Sequence, residues 1–138
     1  VNCRFVRCHA GAMFTDGTTE FAVFDSVLDN SWMLSTHGGA VKRGLFCRLS
    51  RVGEYGRLHI GNVTLPDGAS QISVIDCDLS ALEFSGKIDT AKVQGGKFDE
   101  VLFNQYRARA GDAQADYSQT NIEIDGTTKV GRVVIKSL

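Results

Sequence analysis

Two carboxylates, Asp78 and Asp99, carry the chemistry that residue types and spacing most directly suggest. They fall in two copies of one pattern, Cys77-Asp-Leu-Ser-Ala-Leu82 and Gly96-Lys-Phe-Asp-Glu-Val101, nineteen residues apart. If the copies stack as neighbouring strands, the two carboxylates lie one strand (about 4.8 Å) and two residues (about 6.6 Å) apart, roughly 8 Å in all. Such a separation leaves room for a water between a general acid and a general base, as in an inverting glycosidase. Lys97, however, falls beside Asp78. A cation there keeps the carboxylate ionised and makes it a poor acid. Solvated surface charge is therefore the expectation, with little or no glycosidase activity from this chain alone.

Three side chains could bind a substrate without reacting with it. Trp32 and Tyr55, with His37 nearby, fall in or near proposed loops, where a ring could stack on a sugar face; Trp32 also continues the apolar run Trp-Met-Leu34, which favours partial burial. Arg48 shares an outward column with Arg4 and Lys97, and a basic stripe of this kind could hold an acidic polysaccharide. Asp78 interrupts that column, so a mixed charged face is the better reading. His9, His37 and His59 have no close Asp, Glu or Cys at metal-ligand spacing, and no metal or cofactor is expected. Gly38-Gly39 and Gly95-Gly96 lack the Lys-Ser/Thr and the following helix of a phosphate loop, and read as corners.

The elements that must position these residues follow from the repeat. The pattern over Val74–Ser85 returns over Val93–Asn104, and the same template fits Cys3–Cys8, Ala22–Val27 and Cys47–Val52, at spacings of 19, 25, 30 and 19. Short apolar alternation separated by Gly, Ser and Asn is strand periodicity, and repeats of this length indicate one coil of a β-solenoid per copy. The first, third and sixth positions then point inward, with Phe5, Phe24, Leu49, Leu79 and Phe98 stacked in one interior column. Insertions should be loops at the corners, at Trp32–Gly39 and Leu65–Ser70, the latter holding the Pro66-Asp67-Gly68 turn signal. Residues 1–104 form these rungs, 105–120 a polar connector, and 121–138 a C-terminal segment that reads as strand, Asp-Gly turn, strand, a β-hairpin. Six apolar residues in it, from Ile122 to Ile135, exceed what one face of a ribbon can hide, so it should join chains into a homotrimer, the competing account being a hairpin that folds back to cap its own solenoid.

Composition bounds the rest. Fifteen basic and sixteen acidic residues among 138 give a net charge of -1, so no global field favours nucleic acid or an acidic membrane. No apolar run reaches the roughly 18 residues of a membrane span. Apolar alternation is already under way at Cys3, as expected for a piece of a longer chain. Four cysteines, Cys3, Cys8, Cys47 and Cys77, have neither zinc-site nor disulfide-scaffold spacing, and buried free thiols are expected.

Stacked coils with an aliphatic and aromatic core, corner insertions and a differently built C-terminal β segment resemble bacteriophage tailspikes. The resemblance implies an all-β fold, a right-handed parallel β-helix of about five rungs followed by a C-terminal trimerisation segment. It also implies a homotrimer in the virion tail that attaches to bacterial surface polysaccharide and often cleaves it, with carboxylates on the helix face. A polysaccharide hydrolase or lyase in its own right is the alternative. Cys77-Asp-Leu-Ser-Ala-Leu-Glu-Phe-Ser-Gly86 is also similar to pentapeptide-repeat proteins over about two pentads, which implies a purely structural solenoid or adhesin segment.

Overall fold

Apolar residues at every second position make Gln71–Ile75 and Thr90–Gln94 strands with one buried face: Ile72 and Val74, then Ala91 and Val93, are buried while Lys92 between them is exposed. The computed structural model describes residues 4–6, 12–14, 20–37, 41–63, 70–104 and 121–136. Among the described residues the protein is all-β, without a helix, and its strands form two sheets. The large sheet holds β1 (Arg4–Val6), β2 (Ala12–Phe14), β4 (Val27–His37), β6 (Ser50–Val63), β8 (Asp78–Ile88), β10 (Lys97–Asn104) and β12 (Lys129–Lys136). The small sheet holds β3 (Glu20–Phe24), β5 (Arg43–Cys47), β7 (Gln71–Ile75), β9 (Thr90–Gln94) and β11 (Ile122–Ile124). Every pairing is parallel. From β3 onward the chain visits the sheets alternately, and each visit lands beside the previous strand of that sheet.

The step from small to large sheet is made by one repeated corner. Asp25, Arg48, Asp76 and Gly95 occupy equivalent positions in it, all with positive φ (50°, 53°, 51° and 66°). A backbone ladder runs through the corners: Asp25 N donates to Cys47 O, Arg48 N to Ile75 O and Asp76 N to Gln94 O, all within 3.0 Å. The residue after each left-handed one, Ser26, Leu49, Cys77 and Gly96, turns inward. Gly96 has no alternative there, because at φ +74° a Cβ would stand 2.1 Å from the carbonyl oxygen of Cys77.

The core lies between the sheets. Val23, Phe46, Val74 and Val93 of the small sheet face Leu28, Leu58, Ile60, Leu79, Leu82, Phe84, Phe98 and Val101 of the large one. Leu79 and Leu82 are both fully buried, as are Phe98 and Val101, although residues three apart face opposite sides of a straight strand. The large-sheet strands must therefore bend around the core between those positions. Leu79 beside Phe98 and Leu82 beside Val101 match the repeat read from sequence.

Elsewhere that register is corrected. Cys47 pairs with Phe24 and Ile75, not with Cys77, which follows Leu49 in the corner ladder. Phe5 pairs with Leu28, and Phe24 lies at the end of a small-sheet strand with 36% of its surface exposed, so the proposed five-residue column is continuous only from Leu79 to Phe98. Trp32 to His37 belong to strand β4, not to a loop. The insertion that does interrupt the stack is inside β6: Ser50 pairs with Asp78 but Arg57 with Ala81, so four extra residues bulge out between them. Nor is the C-terminal segment a hairpin. β11 pairs with β9 and β12 with β10, in different sheets, and the Asp125-Gly126 turn is one more corner. An Asp-Gly turn between two apolar runs suits both arrangements, and only the strands already present in each sheet decide between them. Cys47 and Cys77 are buried free thiols, and burial pushes the Cys77 thiol up to about 11, which keeps it protonated near neutral pH. Cys3, Cys8, Gly38, Gly39, 65–69 and the connector 105–120 lie outside the described residues.

Candidate functional site

The β6 bulge has a geometric consequence on the outer face of the large sheet. Gly53, at φ +83°, lets the chain turn out and back, and the Asn30 side chain of β4 fastens the excursion by accepting a hydrogen bond from Glu54 N at 3.0 Å. Its return is held by Ser80 of β8, whose hydroxyl both accepts from Gly56 N and donates to Gly56 O at 2.9 Å. The bulge thus stands as a wall above the flat neighbouring strands. Between it and β12 lies a groove of about 440 Å³, with Ser80 and Ala81 as a floor of small side chains. Glu54, Tyr55 and Arg57 form one side, Asp99, Glu100 and Leu102 continue the floor on β10, and Arg132 closes the far side.

Charges in this groove come as acid and base pairs between strands. Arg51 of the bulge reaches over β8 to Asp99 on β10 at 2.7 Å. Arg132 pairs with Glu100, its register neighbour, and Arg57 with Glu83. Glu83 also accepts a hydrogen bond from Asn104 Nδ2 at 3.1 Å. Burial pushes the Glu83 carboxyl up, but the bond from Asn104 and the hydrogen bond and charge of Arg57 outweigh it and hold the group below the usual carboxylate range. Farther along the same face His59 and Ser85 share a hydrogen bond of 2.6 Å. Among the described residues no three His, Cys, Asp or Glu side chains converge as metal ligands would.

Of the residues singled out from sequence, the structure brings two together: Tyr55, with 54% of its surface exposed, and Asp99 both line the groove. Asp78 is exposed at the start of β8, beside Lys97 as the repeat implied, and is not one of the lining residues. Arg48 sits in a corner and is held by Asp25 through two bonds, Nε to Oδ1 at 2.6 Å and Nη2 to Oδ2 at 3.0 Å. That hydrogen-bonded pairing raises the guanidinium pKa and lowers that of Asp25, so Arg48 serves the corner rather than an open basic stripe. Trp32 lies within β4, where only the backbone is described. Sequence reasoning missed Glu54, Arg57, Glu83, Glu100 and Arg132. They are single charges in separate strands, and only the register Arg57–Ala81–Glu100–Arg132 across four strands puts them in one place. No family model matches this chain, and neither a curated protein nor a solved structure is significantly similar to it.

Proposed function

We propose that the alternating strands are successive coils of a right-handed parallel β-helix, and that the chain is part of a tailspike-like attachment protein whose outer groove binds bacterial surface polysaccharide. Parallel crossover connections are right-handed in about 98% of proteins, because only that hand packs the twisted strands back onto the sheet. One observation carries the ligand class: exposed Tyr55 stands on the rim of a groove whose floor combines small residues with Asp99 and Glu100, each paired with a guanidinium. A tyrosine ring offers a flat apolar surface to the C–H face of a sugar, while the paired charges offer acceptors and donors to hydroxyl groups on either side. The groove crosses strands on an outer face, which suits a segment of polymer. The chemistry is binding, not cleavage, at the two carboxylates singled out from sequence. Asp99 is engaged in an ion pair with Arg51, and Asp78 does not line the groove, so the two do not flank one bound substrate as an acid and base pair would.

Affinity electrophoresis against a panel of bacterial capsular and O-antigen polysaccharides tests this reading. One or more should retard the protein, and Tyr55→Ala should weaken that binding about tenfold, the worth of roughly 1.4 kcal/mol of stacking. A panel without a single binder, or an unchanged Tyr55→Ala, overturns it. The assembly that goes with this reading is a homotrimer. In β12, the outermost described strand of the large sheet, Val133 and Ile135 occupy inward register positions yet are exposed, as a surface covered by other chains would be. Light scattering at micromolar concentration gives three times the chain mass if this is right and one chain mass if it is not.

A further inference from the structure

We propose that Ser85 is a nucleophile activated by His59, and that this part of the outer face transfers and hydrolyses short carboxylic esters. His59 and Glu83 are register neighbours on β6 and β8, and so are Gly61 and Ser85. His59 therefore reaches Ser85 diagonally, with Nε2 at 2.6 Å from Oγ. Gly61 makes that reach possible: a Cβ there would stand 2.8 Å from Ser85 Oγ and 3.1 Å from the His59 ring atoms Cε1 and Nε2. A hydroxyl within hydrogen-bond reach of an imidazole is the arrangement that turns a weak nucleophile into an active one. Two neighbours supply what acyl transfer needs besides. The Glu83 charge acts on His59 and stabilises the imidazolium that forms as the proton arrives. Asn104 is the register neighbour of Ser85 on β10, and one N–H of its amide is bonded to Glu83, which leaves the second for an oxyanion.

The reaction balances with these groups and water. With Nε2 as the acceptor nitrogen, Oγ attacks the ester carbonyl as its proton passes to His59, and the tetrahedral oxyanion takes the free Asn104 N–H. Collapse breaks the bond to the alcohol oxygen, which leaves with the proton from His59. Water then adds to the acyl-serine, giving its proton to His59, and the carboxylic acid departs as Ser85 recovers its own. One side-chain donor is a modest oxyanion hole, so the substrates are esters rather than amides. Ser85 is only 6% exposed, so a small acyl group such as acetate is the natural probe of it. Ser85 lies four residues along β8 from Ala81 on the groove floor, about 13 Å. An O-acyl group on a polymer held in the groove could reach it; that placement of the substrate rests on the glycan-binding reading, whereas the acyl chemistry does not.

The test uses the whole chain with p-nitrophenyl acetate and a fluorophosphonate probe. Expected are a burst of nitrophenol followed by steady turnover, a probe adduct mapped to the peptide holding Ser85, and a loss of turnover of about 100-fold or more in Ser85→Ala and in His59→Gln. Melting curves of both variants show whether they fold; if Ser85→Ala does not, the adduct on the parent and His59→Gln decide. No adduct on Ser85, or turnover that survives in a folded His59→Gln, overturns the proposal. Ester turnover without polysaccharide binding would sink the glycan reading alone, and binding without turnover would sink this one alone.

Discussion

Strands β8 and β12 of the large sheet obey the same pattern and have opposite fates. Leu82 and Phe84 are inward positions of β8; their register partners lead through Val101 and Phe103 of β10 to Val133 and Ile135 of β12. Leu82 and Phe84 are buried, whereas Val133 and Ile135 are 55% and 73% exposed. Residue type does not explain this, since all four are large and apolar. What differs is the number of neighbours: β8 has a strand on each side and β12 has one described strand beside it. In a sheet of parallel strands a side chain is covered by the strands on either side of it. Burial is therefore a property of position in the sheet, and the apolar surface of an outermost strand invites a partner.

The largest effect should come from charging the inner column. Phe98 is fully buried against Leu79, and Phe98→Asp would place a carboxylate without a counter-ion among apolar side chains, at a cost of about 4 kcal/mol or more. Val133→Asp, at an outermost position, should cost less than about 1 kcal/mol in urea unfolding if β12 is uncovered in solution. An equally damaging Val133→Asp would show that another chain covers this strand. The comparison would then describe the isolated chain and not the assembly.

Truncation gives the same contrast on a smaller scale. Leu82→Ala should lose about 3 kcal/mol, through lost transfer energy and the cavity left between strands that cannot close on it. Ile135→Ala should lose less than about 1 kcal/mol, because much of that side chain already meets water. Similar losses from both, read from denaturant midpoints, would mean that the two strands are covered alike.

How much of this was legible in the sequence depends on which residues mark the register. Leu79 with Phe98 and Leu82 with Val101 were readable, since two ungapped copies nineteen residues apart align without ambiguity. Cys47-Arg-Leu-Ser50 against Cys77-Asp-Leu-Ser80 misled, because residue identity favoured a register two residues away from the one the corners impose. The reliable landmark is the left-handed corner residue. Asp25, Asp76 and Gly95 are types that accept positive φ, but Arg48 is not, and it hides the second corner. Tyr55 and Asp99 were found because an exposed aromatic and a carboxylate announce themselves singly. Arg57, Glu83 and Ser85 did not, because their meaning lies in contacts between residues 26 apart in sequence, such as the bond between His59 and Ser85 and the pairing of Arg57 with Glu83.

Polar pairs on the outer face repeat the contrast between inner and outermost strands. Arg57 and Glu83 join β6 to β8, with side chains 26% and 10% exposed, and removing the cation leaves a poorly solvated carboxylate. Arg57→Ala should cost about 2 kcal/mol, less than the rupture of a fully buried pair and more than that of a surface one. It should also change the response to acid. The Glu83 carboxyl is held below its unfolded value of about 4.3, so its contribution is complete above that pH and is lost as pH falls through the folded value. Parent stability should fall on acidification below about pH 4.3, and Glu83→Gln should flatten that fall when unfolding free energy is followed from pH 6 to pH 3. A slope unchanged in Glu83→Gln would place the acid sensitivity elsewhere, at Asp25 or Asp125, whose carboxyls are also held low by hydrogen bonds.

Arg132 and Glu100 are the outermost version of that pair, joining β10 to β12 in register, with side chains 69% and 23% exposed. Water solvates the guanidinium whether or not the pair forms, salt screens it, and ordering two long side chains offsets much of the attraction. Arg132→Ala should therefore change stability by only about 0.3 kcal/mol, and the change should vanish in 1 M salt. The measurement is a double-mutant cycle with Glu100→Gln, run beside the Arg57 and Glu83 cycle in the same buffer. Coupling energies that rank Arg57 far above Arg132 would extend the rule from apolar positions to polar ones: a contact counts in proportion to the strands that cover it. A coupling at Arg132 as large as that at Arg57 would mean that β12 is not an outer strand in solution. Since Arg132 also closes one side of the groove, a covered β12 would then bring a neighbouring chain to the edge of the binding surface.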